Sequence, residues 1–201
     1  MTAKEFDKLV MDEVSKTDFG FLLEHTNLVG IGQIKEIYNQ SGRDNQYYQW
    51  LHCAMKVLRP RQVVELGAAA GISTIMMATG LPKDSKLISV DCDPTAWKWM
   101  NREYPQVVKI LGDELDLSIY KDIDLFQTRK LPDFWFFDSL HTPEQLTKEL
   151  ELYRPFFKQG AVLAFDDIRL PGMYKVWEDL PYDKIEITDP CHYSGFGIAI
   201  R

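Results

Sequence analysis

The chain has 201 residues, and its apolar content of 45% is enough to build the core of a single domain. A formal net charge of −7 argues against a general nucleic-acid binder, because phosphate contacts need a basic face. The sequence lacks the roughly 18-residue apolar run of a membrane span, and three widely spaced cysteines (Cys53, Cys92 and Cys191) are typical of reduced thiols and predict a cytoplasmic protein.

The first sixty residues are predicted to form a helical cap. Residues 3–15, 31–39 and 43–58 have apolar side chains at the spacing of amphipathic helices. The segment around residues 41–44 predicts a loop. Pro60 ends the last of these helices, because proline cannot continue a helix interior.

From residue 61 onward, short apolar runs alternate with helical patterns. In chain order, the predicted strands are residues 62–66, 86–91, 106–111, 133–138 and 161–165. Continuously apolar strands that are separated by helices predict a parallel sheet covered on both faces.

Two of the intervening helices have recognisable start signals. Asp93 and Pro94 put an acid at an N-cap and proline in the first turn, which predicts a helix that Trp97 and Trp99 help to pack. Residues 142–145 form a capping-box pattern with proline at the first helical position. That second helix is expected to bury Leu146, Leu150, Tyr153 and Phe157.

The chain ends differently, with predicted strands at residues 184–188 and 196–200. Their connection is too short for a crossover helix and therefore predicts an antiparallel pair. The expected fold is an α/β Rossmann-like three-layer sandwich: a seven-stranded, mostly parallel sheet with one antiparallel strand near the C-terminus. Residues 1–201 are expected to form one domain, with a cap at 1–60 and a core at 61–201.

Ligands of open parallel sheets bind beyond the carboxyl ends of the strands. Every predicted parallel strand carries acids there, namely Glu65, Asp91, Asp113 with Glu114, Asp138, and Asp166 with Asp167. Buried carboxylates are costly unless they are paired, hydrogen-bonded or metal-bound. This edge of the sheet is therefore the predicted functional site.

The loop after the first strand helps to discriminate between nucleotides. A dinucleotide site has glycine at the first, third and sixth positions, so that the backbone can approach a pyrophosphate. Counted from Gly67, the third position is Ala69 and the sixth is Ile72, and no phosphate-binding lysine follows. The loop therefore favours a ligand with an adenosine but no phosphate.

Several groups near this loop suit such a ligand. Gly67 and Gly71 allow close approach of the backbone, and Glu65 could hold an ammonium group. Ser73 and the N–H groups of the following helix could bind a carboxylate. Asp91 has the reach and the chemistry for a ribose diol.

The segments VVELGAAAGIST, LISVDCDP, ILGDELD, DFWFFDSLHTPEQ and FKQGAVLAFDDI resemble the class I methyltransferases, particularly the catechol-type and sugar/macrolide O-methyltransferases. The resemblance covers about residues 44–201. It implies S-adenosylmethionine as cofactor and methylation of a hydroxyl group on a small molecule. The residues it implies around the cofactor, together with their neighbours in these loops, are Glu65, Gly67, Ala68, Gly71, Ser73, Asp91, Cys92, Asp113, Glu114 and Asp138.

The resemblance also implies the catalytic groups. In metal-dependent members, one acid after strand four and an acid pair after strand five hold a divalent cation, and Asp138, Asp166 and Asp167 match that pattern. Mg²⁺ or a similar ion would suit these oxygen donors; alternatively, the three acids bind cofactor and substrate without a metal. A basic residue follows the first acid by three positions; catechol-type enzymes have lysine there, and this chain has His141. We expect His141 to stay neutral near pH 7 and, with Asp138, to take the hydroxyl proton.

Two other functions remain open at this point. An NAD-type oxidoreductase is disfavoured by Ala69 and by the terminal strand pair. A catalytically silent module that retains the adenosyl site is disfavoured by the carboxylates around His141. The expected partner is a small-molecule acceptor rather than nucleic acid or a membrane, and a homodimer is compatible with the sequence. Residues 41–48 are expected to close over the cofactor and shape the acceptor pocket.

Overall fold

A computed structural model describes residues 1–26, 47–121, 123, 131–188 and 194–201. The predicted helix at 31–39, the loop at 41–44 and the first residues of the helix at 43–58 lie outside this part of the chain, as does Cys191. In the described part, no helix is both long enough and apolar enough to cross a membrane.

The described residues form one seven-stranded sheet. Its strands are β1 Gln62–Leu66, β2 Lys86–Asp91, β3 Val107–Leu111, β4 Phe134–Phe137, β5 Val162–Asp166, β6 Asp183–Ile187 and β7 Phe196–Ile200. The order across the sheet is β3-β2-β1-β4-β5-β7-β6. Neighbouring strands are parallel except that β7 runs antiparallel to both β5 and β6. The predicted mixed sheet, with one antiparallel strand next to its edge, is confirmed.

Helices cover both faces of the sheet, as continuously buried strands require. The α-helices are α1 Ala3–Val14, α2 Tyr47–Leu58, α3 Ile72–Gly80, α4 Pro143–Tyr153 and α5 Met173–Glu178. One core packs α1, α2 and α3 against alternate strand residues such as Val63 and Phe134. The other packs α4 and α5 against the residues between them, such as Val64 and Trp135.

Helix α4 starts where predicted, but only half of the predicted capping box forms, because the Thr142 N–H donates to the Leu140 carbonyl and the Gln145 side chain bonds to Glu149. The Thr142 hydroxyl accepts a hydrogen bond from the backbone N–H of Gln145 at 3.2 Å, and Pro143 is the first helical residue. The predicted apolar stripe is buried, although the helix ends at Tyr153 and the chain passes through a short 3₁₀ turn before Phe157.

The predicted helix after Asp93 is wrong. Residues 94–99 form turns instead, and Trp97 has a left-handed backbone (φ +59°) that ends any helix there. Its N–H donates to the carbonyl of Ala69 at 2.8 Å, and the N–H of Trp99 donates to the carbonyl of Ala70 at 3.1 Å. The loop after β1 (residues 67–71, the glycine loop) therefore accepts, through its carbonyl groups, the backbone N–H groups that would otherwise bond within a helix. The two tryptophans pack beside that loop.

The first helix lies against the last two strands. Helix α1 contacts β6 and β7, and the backbone N–H of Ala3 donates to the Asp183 carboxylate at 2.5 Å. Strand β6 has β7 as its neighbour at the edge of the sheet, so it joins the sheet through β7.

Candidate active site

Glu65, near the end of β1, is completely buried and has one oxygen free. Its Oε2 accepts hydrogen bonds from the hydroxyls of Thr74 at 2.6 Å and Ser89 at 2.5 Å. Its Oε1 is buried and has no hydrogen-bond partner among the described residues. Burial raises the pKa of Glu65 to about 7, although the nearby hydroxyls, that of Ser73 first, lower it. This oxygen can receive a donor from a ligand.

Gly67 brings the loop after β1 onto the loop after β4. Its φ is +85°, and a Cβ atom built there would lie 2.0 Å from the carbonyl oxygen of Asp138 and 2.7 Å from the Cα of Ser139. Only glycine allows this approach. Gly71 also has positive φ (+94°) and precedes the first residue of α3.

The carboxylate of Asp91 holds the glycine loop. Its Oδ2 accepts the N–H groups of Ala68 at 2.9 Å and Ala69 at 2.7 Å, and its Oδ1 accepts that of Asp93 at 2.7 Å. Each carboxylate oxygen has two lone pairs, so one acceptor position remains on Oδ1. Asp91 thus has a structural role, and its predicted contact with a ribose diol stays a prediction.

The residues predicted near the adenine lie beside this carboxylate. Asp91 pairs with Leu111 across β2 and β3, which brings the turn after β3 next to Asp91 and Cys92. In that turn, Asp113 accepts the N–H of Leu115 at 2.8 Å. Glu114 is nearly buried, and burial raises its pKa.

His141 joins two of the predicted carboxylates. Its Nε2 lies 3.0 Å from Oδ1 of Asp138, and its Nδ1 lies 2.6 Å from Oδ2 of Asp167. Asp167 has a left-handed backbone (φ +58°), and its N–H donates to Oδ1 of Asp166 at 2.9 Å. Because Phe137 of β4 pairs with Phe165 of β5, Asp138 and Asp166 follow at neighbouring strand ends.

This arrangement corrects the expected protonation of His141. The hydrogen bonds to Asp138 and then Asp167 raise its pKa to about 10, so the ring is charged rather than neutral at pH 7. Burial, followed by the charge of Asp166, raises the pKa of Asp138 above its usual range. The Asp138–His141 pair therefore holds a proton firmly in the free protein.

The predicted divalent cation does not fit the residues as they are placed. Across the described residues, no group of three or more histidine, cysteine, aspartate or glutamate side chains is arranged to hold a metal ion. The ring of His141 stands between Asp138 and Asp167, and Asp166 has one oxygen on a backbone N–H.

Of the predicted lid at residues 41–48, the structure describes Tyr47 and Tyr48. Tyr48 is the second residue of α2, and burial together with the charge of Asp138 raises its pKa, which places its hydroxyl near the loop that carries Asp138. Closure of residues 41–48 over the cofactor stays a prediction, because residues 41–46 lie outside the described part of the chain.

One residue of the site was missed in the sequence, namely Glu149, which is 1% exposed. Its carboxylate accepts hydrogen bonds from the Ser139 hydroxyl at 2.5 Å and from Gln145 Nε2 at 3.0 Å. The sequence does contain a signal for this residue, because an acid on the apolar stripe of α4, beside Leu146 and Leu150, predicts a buried carboxylate. The bond to Ser139 anchors the loop that carries Asp138 and His141.

Comparison with known proteins supplies a family. A family model described as a methyltransferase domain matches residues 64–168. A relative from Dictyostelium discoideum, named "Probable caffeoyl-CoA O-methyltransferase 3", is 26% identical over 156 residues, which cover 74% of this chain and 60% of the relative. The chain thus spans about three fifths of that relative's length.

Solved structures agree on the fold. An O-methyltransferase from Bacillus cereus in complex with SAH has a TM-score of 0.61 and 20% identity, over 86% of this chain and 89% of that one. The O-methyltransferase TomG from Streptomyces achromogenes, in complex with SAM, has a TM-score of 0.56 and 18% identity, over 98% of both chains.

Proposed function

The chain belongs to the methyltransferase domain family, and from this premise we propose that it transfers a methyl group from S-adenosylmethionine to a hydroxyl oxygen of a small molecule. The names of the relative and of the two solved structures support an oxygen acceptor and this cofactor. A small molecule suits a chain whose charge of −7 offers no general basic face.

The observation that carries the proposal is the free oxygen of Glu65. A buried carboxylate oxygen without a donor is costly. The ammonium of a methionyl group has three N–H donors and a compensating charge, whereas a nicotinamide dinucleotide has no ammonium group to offer. Ser73 and the first N–H groups of α3, which follow the glycine loop, are proposed to receive the methionyl carboxylate.

When bound, S-adenosylmethionine supplies a methyl group on a positively charged sulfur, which an oxygen can attack in line. The chain positions the two reactants, and this is a large part of the rate enhancement available to such a site. Asp91 keeps the glycine loop in shape, and Gly67 allows that loop to contact the one carrying Asp138.

The Asp138–His141 pair is proposed to take the hydroxyl proton. Positive charge brought into the site lowers the pKa of His141, so the ring can release its resting proton and then accept one from the acceptor. The oxygen–methyl bond forms as the sulfur–methyl bond breaks, and the hydroxyl proton ends on the Asp138–His141 pair. Cytoplasmic location and a single domain at 1–201 with its cap at 1–60 complete the proposal.

Calorimetry with S-adenosylhomocysteine and with NADH tests this function. We expect the first to bind and the second to give no response. Glu65→Gln should weaken S-adenosylhomocysteine binding by roughly 10- to 100-fold, since a hydrogen bond to a charged group contributes about 1.5–3 kcal/mol. Glu178→Gln, which changes an exposed carboxylate, is the control. Tight NADH binding without a response to S-adenosylhomocysteine would refute the proposal.

Transfer of labelled methyl groups to a panel of sugars, phenols and hydroxylated natural products then tests the reaction. Methylation of at least one hydroxyl supports it. If S-adenosylhomocysteine binds but no acceptor is methylated, the chain acts as an adenosyl-binding module and the enzymatic part of the proposal is wrong.

A further inference from the structure

Three carboxylates meet at one edge of the sheet. Asp138 follows β4, Asp166 is the last residue of the neighbouring β5, and Asp167 comes directly after it. The side chains of Asp138 and Asp167 are only 17% and 14% exposed, so water screens them little. Like charges in such a place need a positive partner to remain ionised.

The ring of His141 provides that partner with both of its nitrogens. Each nitrogen is within hydrogen-bond distance of a different carboxylate, at 3.0 and 2.6 Å. A neutral imidazole has one N–H and one acceptor nitrogen, whereas the charged ring donates from both. Two carboxylate oxygens facing the two nitrogens are the arrangement expected around a charged ring.

The backbone is shaped for this contact. Asp167 has a φ of +58°, which is uncommon for a residue other than glycine. Conformations of this kind persist when the surrounding structure holds them, and they cluster at functional sites. The left-handed turn at Asp167 accompanies the contact between its carboxylate and Nδ1 of His141.

We propose that the His141 ring takes the place of a divalent cation between Asp138 and Asp167, so that this site neither binds nor needs Mg²⁺ or Mn²⁺. Mg²⁺ gathers its oxygen ligands at about 2.0–2.1 Å around a single point, and the ring keeps these two carboxylates on different sides of itself. The sequence alone had left open whether the three acids serve a metal; the geometry favours the metal-free alternative. The claim that methylation does not need a metal rests on the proposed function. The claim that the site does not bind Mg²⁺ or Mn²⁺ is independent of it.

Titration of the protein with Mn²⁺ and Mg²⁺ by calorimetry tests the binding statement without any methyl acceptor. We expect no saturable binding to the unchanged protein. His141→Ala removes the ring that separates Asp138 from Asp167, so both carboxylates can turn toward one ion and the variant should gain saturable Mn²⁺ binding. Adding Asp138→Asn to His141→Ala should abolish the gain.

Two further variants keep the test decisive. His141→Gln retains a polar side chain and should also gain Mn²⁺ binding if His141→Ala does not fold. His25→Ala removes a histidine that bonds to Tyr104 instead and should gain none. Saturable Mn²⁺ binding to the unchanged protein that Asp138→Asn abolishes would overturn the proposal, and so would His141→Ala and His141→Gln variants that fold without gaining a site.

Once an acceptor is known, its methylation should proceed at the same rate in EDTA as in Mg²⁺. Loss of activity in EDTA and its return with Mg²⁺ would contradict the metal-free site while supporting methyl transfer itself. Failure of all methyl transfer would instead contradict the proposed function and leave the Mn²⁺ titration as a valid test.

Discussion

The hydroxyl of Ser139 donates a hydrogen bond over 2.5 Å to the buried carboxylate of Glu149. This hydrogen bond anchors the loop that carries Asp138 and His141 to the buried face of α4. Burial raises the pKa of Glu149 to about 7, although the bonds from Ser139 and Gln145 lower it. Glu149, which anchors the loop that carries Asp138 and His141, therefore titrates near neutral pH.

Stability should consequently depend on Glu149 between pH 4.5 and 7. An acid whose folded-state pKa lies above its unfolded value binds protons more tightly when folded, so the free energy of unfolding falls as pH rises through this window. Relative to the unchanged protein, Glu149→Gln should gain up to about 3 kcal/mol between pH 4.5 and 7.5. Urea unfolding at the two pH values measures this, with exposed Glu151→Gln as the control. Parallel pH profiles for all three proteins would contradict it.

Asp91→Ala should weaken cofactor binding by loosening the glycine loop. The change leaves the N–H groups of Ala68 and Ala69 without their acceptor, and that of Ala68 is buried, where an unsatisfied donor costs about 1–3 kcal/mol. We expect a loss of affinity for S-adenosylhomocysteine of that size, together with a lower melting temperature. Asp93→Ala, which removes an exposed carboxylate bonded to Thr95, should change neither. Unchanged affinity in Asp91→Ala would show that the loop keeps its shape without the carboxylate.

Two glycine substitutions separate backbone strain from steric conflict. Gly67 and Gly160 both have positive φ (+85° and +78°), but a Cβ at Gly67 would collide with Asp138, whereas at Gly160 nothing lies within 4 Å. Gly160→Ala should cost about 1–2 kcal/mol of stability from strain alone. Gly67→Ala should cost about 4 kcal/mol or more, since main chain must move. Equal losses in the free energy of unfolding would mean that the loops separate easily.

His141→Ala tests proton transfer. It should leave the affinity for S-adenosylhomocysteine nearly unchanged and lower turnover by about 10²–10⁴-fold, the usual contribution of a positioned base. Because the pKa of His141 is about 10 and the neutral ring is the base, kcat/KM should rise with pH beyond the usual histidine range. The variant should lose this rise. A variant that methylates as fast as the unchanged protein would remove His141 from the mechanism.

The sheet was predictable because its signals are local and repeated. Each parallel strand is a short apolar run followed by an acid, and the short link before residue 196 allows only an antiparallel pair. The helix after Asp93 failed because a local start signal was overridden by contacts to Ala69 and Ala70, which are more than twenty residues away in the chain.

The composition of the site was predictable, but its connections were not. Acids at strand ends identify the edge where ligands bind. Which acid satisfies which donor depends on side-chain directions that no spacing specifies, as with Asp91 on the glycine loop. Likewise, the charge on His141 depends on Asp167, a contact that forms only when β4 and β5 pair.

The contact between α1 and the last strands constrains how this chain can fold while it is being made. Ala3 and its partner Asp183 are 180 residues apart, and β6 enters the sheet through β7, which is made later still. At about 5–20 residues per second, α1 is made about nine seconds or more before β6 and β7, which it contacts in the folded protein. During that interval Phe6, fully buried in the finished protein, can already pack on Trp50 of α2, but the cover that β6 and β7 provide is missing. The contacts of α1 with β6 and β7 can therefore form only after synthesis has passed β7.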